Sequence, residues 1–492
     1  MDALRLKNFR CLEDTGEIEI KPLTFLVGAN SSGKSSFLKF FPLLKQSLGV
    51  NKRGFFLWNG PTIDFMDFQN TVRDGEKEME ISFSFRKVKT NPYNITGEFK
   101  DGVDIKLTVV ICDDGKHYDS IETTKIEISG QTILIKFNGK GIRQIIVGGV
   151  DSTEYEGSRL LAQYTVALFP NILFITHDKG KKSINSIREE IKKIQVEEKI
   201  EYFNDVDLTY SRRYDSKDFI KARIKEKYNK TLPDDKLDRL FDLNFFNNLN
   251  SIIFMINENI LQMARNMAYM GPLRESTERY YRFQNIDIDE INADGSNLAM
   301  YLYNLAESQK VMLNKWLKDN FDFQIGVVAE GGHVNLMIKE GEKKEKNLVD
   351  VGFGYTQILP ILVDIWKTQY VDKDVMRVGY HKDVNQKHII AIEQPELHLH
   401  PRFQAMFADL LIKTINYAYQ NDKDIRIVIE THSEKILNKI GEGIAQGKLD
   451  RSCVNVVLFN AKDESLKKYV EIASFDEDGF LTNWPIGFFE EK

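Results

Sequence analysis

At 492 residues the chain is too long for one simple core, so two or more domains, or a domain with a large insertion, are expected. Hydrophobic residues at 42% and charged residues at 28% exclude a disordered, collagen-like or disulfide-dense protein, and a formal charge of -6 argues against a surface coated in nucleic acid. Three widely spaced cysteines (Cys11, Cys112, Cys453) suggest neither a disulfide framework nor a zinc knuckle, and the absence of a signal peptide or a long uncharged apolar run leaves a reducing cytoplasm, with no membrane, as the expected setting.

Residues 1 to 50 read as strand, turn, strand, phosphate loop and helix. Leu23-Thr-Phe-Leu-Val27 is a buried-strand run that enters Gly28-Ala-Asn-Ser-Ser-Gly-Lys-Ser35, a full match to the P-loop pattern. Gly28 and Gly33 let backbone N–H groups turn inward on phosphate oxygens, so the loop including Asn30, Ser31 and Ser32 is assigned to ATP. Lys34 neutralises the outer phosphates, and Ser35 supplies an oxygen to Mg²⁺. Ser36 opens a helix whose N-terminal dipole adds to the anion site; Phe37, Leu38, Phe41 and Leu44 form its apolar face, and Pro42 is expected to kink or shorten it.

Between residues 76 and 148, alternating runs such as Met79-Glu-Ile-Ser-Phe-Ser-Phe85, Ile105-Lys-Leu-Thr-Val-Val-Ile111 and Ile133-Leu-Ile-Lys-Phe137 predict an antiparallel sheet. From 181 to 268 charged helical segments take over, broken near Leu232-Pro-Asp-Asp235. Ile184, Ile187, Ile191 and Ile194 hold a heptad seam that Glu198 ends after two repeats, and both a helix packed on its own domain and a protruding coiled-coil arm stay open. The expected division is an N-terminal lobe over 1–175, a helical insertion over 176–268 and a C-terminal lobe over 269–492.

Past residue 270, Gly326-Val-Val328 and Val334-Asn-Leu-Met-Ile338 read as strands. Val351-Gly-Phe-Gly-Tyr-Thr-Gln-Ile-Leu-Pro360 is a glycine-bearing turn into an apolar helix, able to offer backbone N–H groups and the Thr356 hydroxyl to a phosphate. His388-Ile-Ile-Ala-Ile392 and Ile425-Arg-Ile-Val-Ile429 read as buried parallel strands around a helix over 402–415. The first ends in Glu393-Gln-Pro-Glu396. A carboxylate at a strand end beside a P-loop orders the Mg²⁺ shell, and Glu393 takes that role. The place of a second acid that polarises the attacking water holds Gln394, so either Glu396 serves as base, Glu393 does both jobs, or hydrolysis is slow; Glu396 as a helix cap is the structural alternative. His398 and His400 lack a third ligand for a metal. His432, ending the second strand within Glu430-Thr-His-Ser433, is placed to bond a γ-phosphate or the attacking water.

P-loop, signature-like loop, Walker B and switch histidine in this order resemble an ABC- or SMC-type ATPase head: an α/β P-loop NTPase with a mostly parallel core sheet, an antiparallel β-subdomain and an inserted helical region. Within that class, Asn8-Phe-Arg10, Tyr269-Met-Gly-Pro-Leu-Arg274, Asp294-Gly-Ser-Asn297, Val351-Gly-Phe-Gly-Tyr-Thr-Gln357, Ile392-Glu-Gln-Pro-Glu-Leu-His-Leu-His-Pro401, Glu430-Thr-His-Ser433 and Trp484-Pro-Ile-Gly-Phe-Phe489 resemble the OLD-type ATPases. The resemblance implies a homo-oligomer in which two heads sandwich ATP, with Gly352, Gly354, Thr356 and Gln357 of one subunit completing the site at Lys34 of the other. It also offers Gln69, in Asp67-Phe-Gln-Asn70, as a Q-loop residue.

OLD nucleases carry a TOPRIM domain after the ATPase, and the stretch beyond His432 is short for one, so a nuclease is expected on another chain. Stand-alone ATPases of this type resemble those of two-gene anti-phage systems, PARIS with a TOPRIM-like effector and, second, Septu with an HNH effector. The expected function is then a sensor ATPase that holds or releases an effector nuclease on a phage-derived trigger. The alternative is an SMC-like DNA-repair ATPase that clamps nucleic acid directly; a transporter subunit is least favoured.

Overall fold

The computed structural model describes residues 1–88, 102–115, 118–139, 141–155, 157–176, 186–200, 216–272, 274, 278–371, 387–460 and 470–483. Ile184, Leu273 and the ending Trp484 to Phe489 lie outside the described residues. The chain forms two compact units: Met1–Ile18 with Gln46–Ala264, and Glu19–Lys45 with Arg265–Lys492. The phosphate loop therefore belongs with the C-terminal motifs, and the boundary expected at residue 175 is redrawn. The cause is the ladder: a buried strand needs partners for all its backbone groups, and those of the strand leading into the loop come from residues 424–430 and 454–459.

In the second unit the elements that shape the site are β1 (Leu23–Gly28), α1 (Lys34–Gln46), β2 (Met267–Met270), α2 (Phe353–Tyr370), β3 (Lys387–Glu393), α3 (Pro401–Gln420), β4 (Asp424–Glu430), α4 (Glu434–Ala445), β5 (Val454–Phe459), β6 (Val470–Phe475) and β7 (Leu481–Thr482). They form a seven-stranded sheet in the order β2-β3-β4-β1-β5-β6-β7. From β2 to β5 the pairings are parallel, and β6 and β7 add an antiparallel edge. Every residue of β1 and β5 is buried, which explains why Leu, Phe and Val dominate both, with only Thr24 and Asn455 as polar positions, where an alternating pattern would suit a half-exposed strand. Register brings Glu393 opposite Glu430 and Gly28 opposite Phe459, so the chemistry-bearing residues gather at the carboxyl ends of four adjacent strands, where open α/β sheets bind ligands.

Helix α1 opens at Lys34, two residues before the expected start, and runs through Pro42 to Gln46 without being cut short. Phe37, Leu38, Phe40, Phe41, Leu43 and Leu44 are all fully buried, and that burial outweighs the backbone bond that proline removes.

The first unit holds an eleven-stranded antiparallel sheet that contains the runs over 78–88, 103–113 and 131–138. Its helices are Ser186–Glu198, Lys217–Tyr228, Asp234–Asn247 and Leu249–Arg265. Ile187 and Ile191 of the heptad seam are buried within this unit, and Arg239 ties Glu190 to Glu154 beside the sheet at 2.8 and 2.9 Å. Those described helices pack on their own unit as the first of the two open readings has it.

Candidate nucleotide site

The phosphate loop leaves β1 at Gly28, whose φ of +149° and position suit only glycine: a Cβ there would sit 2.2 Å from the Phe459 carbonyl oxygen. Asn30 and Ser31 are exposed at its tip, Ser31 in the left-handed region, while Ser32, Gly33 and Ser36 are buried. Lys34 is 3% exposed, and its Nζ donates to the carbonyls of Gly28 at 3.0 Å and Ala29 at 2.7 Å. Burial lowers its pKa, while the charges of Glu430 and Glu396 oppose that shift. A buried ammonium turned onto its own loop is a cation held ready for phosphate oxygens.

Glu393 ends β3, almost fully buried. Tyr269 on neighbouring β2 donates its hydroxyl to Oε1 at 2.7 Å, and Lys39 of α1 stands 3.7 Å from the same oxygen. Burial pushes the Glu393 carboxyl up to about 6, against the pull of Lys39 and Tyr269. Arg274 donates from Nη2 to the Glu393 carbonyl at 2.9 Å, and burial pushes the guanidinium down to about 10.

Glu393 is the carboxylate expected to share a cation with Ser35; the hydroxyl of Ser35 itself donates to a second carboxylate, Glu430, at Oε1 and 2.8 Å. The physical reason is strand order. β4 lies between β3 and β1, so Glu430 ends the strand next to the phosphate loop and Glu393 the strand beyond it. Burial raises the pKa of Glu430, opposed by the Ser35 hydrogen bond and Lys34. Two successive buried apolar runs that each end in Glu were the sequence signal for this second carboxylate.

Glu396 is held by the next loop. It accepts from Thr431 Oγ1 at 2.9 Å and from the backbone N–H of His432 at 2.7 Å, one donor on each oxygen. It does not cap the helix that follows it: His400 caps α3, its Nδ1 accepting from the Arg402 N–H at 3.2 Å. His432 is half-buried, and burial plus the Lys34 charge push its pKa down, so the imidazole is neutral at pH 7. Among the described residues its buried Nε2 has no hydrogen-bond partner. Ser433 fixes the turn by accepting from the Ile436 N–H at 3.1 Å while donating to Gln404 at 2.7 Å.

The signature-like loop divides into two parts. Gly352, with φ of +87°, is the exposed N-cap of α2, and Gly354 lies near the His398 carbonyl. Thr356 and Gln357, expected to face a partner's nucleotide, are turned into the core at 8% and 1% exposure, and Gln357 donates to the Arg274 carbonyl at 3.2 Å. The surroundings of α2 explain this: it is buried on every side from Thr356 to Lys367, so neither position has a solvent-facing option. Gln69 lies in the first unit, where its side chain donates to Asp113 at 2.6 Å. No group of three potential metal-binding side chains (His, Cys, Asp or Glu) occurs among the described residues.

A P-loop between a buried parallel strand and a helix, with carboxylates at the ends of the next two strands on one side of it, defines a P-loop nucleoside triphosphatase. Residues 1–437 match the AAA_15 family, described as an AAA ATPase domain, and the chain belongs to that family of ATPases. It is 28% identical over 234 residues to Endonuclease GajA of Bacillus cereus (strain HuB5-5), a stretch covering 42% of this chain and 33% of that protein. It is 34% identical over 97 residues to the OLD nuclease of Thermus scotoductus, 20% of this chain and 16% of the relative. The chain thus spans a third or less of the length of these relatives. Among solved structures, an Smc head domain from Pyrococcus furiosus aligns over 96% of both chains at 12% identity and a TM-score of 0.36, and the SMC head domain from Thermotoga maritima over 96% and 98% at 9% and 0.35.

Proposed function

We propose that this chain is the ATP-binding and hydrolysing scaffold subunit of a bacterial anti-phage defence system, acting in the cytoplasm as an oligomer of ATP-sandwiched heads that holds a separate effector nuclease and releases it on infection. A TOPRIM-like effector is favoured over an HNH one. The reading is supported by partial similarity to proteins named as an endonuclease and an OLD nuclease.

The observation that carries the ATPase half is the convergence of Lys34, Ser35, Glu393, Glu430 and His432 at the carboxyl end of one sheet. Loop N–H groups and Lys34 would hold the phosphates. The donor set fits Mg²⁺: Ser35 and a buried carboxylate supply hard oxygens, and the ion would neutralise the phosphate charge. Glu393, ionised above about pH 6, orients the attacking water. Neutral His432 offers Nε2 to the γ-phosphate or that water. Exposed Gly352 and half-buried Gly354, at a helix N-terminus, are the backbone donors available to a second head's nucleotide; Thr356 and Gln357 instead support α2 from within.

The test is purification of the chain with its operon neighbours, with and without ATP, followed by mass measurement of the complexes. A co-purifying nuclease and an ATP-dependent increase in oligomer size are expected. Tight, salt-sensitive DNA binding by the chain alone, with no protein partner, would favour the DNA-clamping alternative instead.

A further inference from the structure

Arg274 joins two parts of the second unit that lie far apart along the chain. It follows the end of β2 by four residues and is buried, and it bonds through both backbone and side chain. Its carbonyl accepts at 3.2 Å from Nε2 of Gln357, itself buried near the start of α2. Its Nη2 donates at 2.9 Å to the carbonyl of Glu393, at the end of β3. Nε and Nη1 have no partner among the described residues, so the Glu393 carbonyl is the anchor that fixes where this charge lies. Burial lowers the pKa only to about 10, against the pull of Glu396 and Glu393, and the guanidinium stays charged at neutral pH. A charge buried with two donors unmet is a poor source of stability, so its use lies in what it positions. That object is Glu393, which Arg274 holds by the backbone while Tyr269 holds Oε1 of the side chain.

We propose that Arg274 is a positioning residue for ATP hydrolysis: it ties the start of α2, through Gln357, to the backbone of Glu393 and so sets where that carboxylate stands. The inference rests on the reading above that Glu393 acts in ATP turnover, and adds what holds it in place. The carboxylate leaves the same residue whose carbonyl Arg274 grips, so a backbone shift there carries the carboxylate with it. Misplacement by about 1 Å at a reacting group costs roughly 100-fold in rate. Gly352 and Gly354 open the helix that Gln357 belongs to, so a group docked on that end is connected to Glu393 through the Gln357–Arg274 link.

The test is steady-state ATP hydrolysis by the full chain, with kcat and KM resolved. Arg274→Gln is expected to lower kcat about 10- to 100-fold while KM for ATP stays within about twofold of wild type, the pattern of a lost positioning contact. Arg274→Lys keeps the charge and a donor and should recover part of kcat. Gln357→Met removes the other bond at similar side-chain length and should lower kcat by a smaller factor, since a neutral hydrogen bond is weaker than a charged one. The Arg274→Gln, Gln357→Met double variant should fall no further than Arg274→Gln alone, because both substitutions break one link. Should Arg274→Gln melt early, the same double-variant cycle is run with Arg274→Lys. Wild-type kcat in folded Arg274→Gln, a raised KM at unchanged kcat, or losses that multiply across the pair overturns the proposal. Glu393→Gln separates that failure from failure of the reading beneath it. Turnover at the wild-type rate in Glu393→Gln overturns both, whereas an inactive Glu393→Gln beside a fully active Arg274→Gln overturns the positioning role alone.

Discussion

The Tyr269 hydroxyl donates to Glu393 Oε1 at 2.7 Å, linking the ends of two adjacent buried strands. A hydrogen bond of this kind favours the ionised carboxylate, while burial disfavours it and prevails, so Glu393 titrates near 6. If ionised Glu393 orients the water, ATP turnover falls as pH drops through about 6. Tyr269→Phe removes the bond, raises the Glu393 pKa further and moves that acid limb to higher pH. Steady-state hydrolysis from pH 5 to 8 checks both; an unmoved limb in the variant removes Glu393 from the titrating role.

Lys34→Ala deletes the cation that faces the phosphates. A charge-assisted bond contributes about 1.5 to 3 kcal/mol, so ATP affinity should drop roughly 10- to 100-fold or more, with turnover lost alongside. Equilibrium binding of a fluorescent ATP analogue measures it, and undiminished hydrolysis would contradict the assignment.

Glu396→Ala strands the Thr431 hydroxyl and the His432 N–H that the carboxylate now accepts. Loss of these charge-assisted bonds should lower stability by about 2 to 4 kcal/mol and loosen the His432 turn. Glu396→Gln keeps an acceptor and should retain more of both. Denaturant unfolding paired with single-turnover hydrolysis distinguishes this supporting role from that of a base: a base would lose chemistry in Glu396→Gln at unchanged stability.

Gly28→Ala forces a side chain to within 2.2 Å of the Phe459 carbonyl at a φ that alanine rarely adopts. A cost of about 1 to 3 kcal/mol in backbone strain, with more from the clash, should reshape the phosphate loop and weaken nucleotide binding more than it lowers the melting temperature of the first unit. Calorimetric binding and melting curves on the same preparation decide.

In the first unit, Asp119 accepts from the N–H groups of Phe55 and Phe56 at 3.0 and 3.1 Å, yet burial pushes its carboxyl up to about 6. A raised folded-state pKa means the folded chain binds the proton more tightly, so this group's contribution to stability falls as pH rises from about 4 to 6, by roughly 3 kcal/mol. Asp119→Asn keeps an acceptor for both amides and should flatten that slope in urea unfolding across pH 4 to 7.

The fold class was readable because its signals are local. The run from Leu23 into Gly28 and the period-two runs after residue 76 each announce a strand type through side-chain pattern alone, and both occur where expected. The unit boundary was hidden because β1 finds its partners some 400 residues away, and no local pattern records which strands share a ladder.

Within the site the same division holds. Chemistry that depends on residue type and spacing, the phosphate cradle and its Lys34 and Ser35, stands in the sequence, since Gly28 and Gly33 must permit that turn wherever the loop is built. Which carboxylate meets Ser35, that Glu396 braces a turn, and that Gln357 faces inward were decided only by tertiary structure. Each depends on strand order and on what packs around a helix, and a strand placed between those ending in Glu393 and entering the phosphate loop is a fact of packing that no spacing along the chain contains.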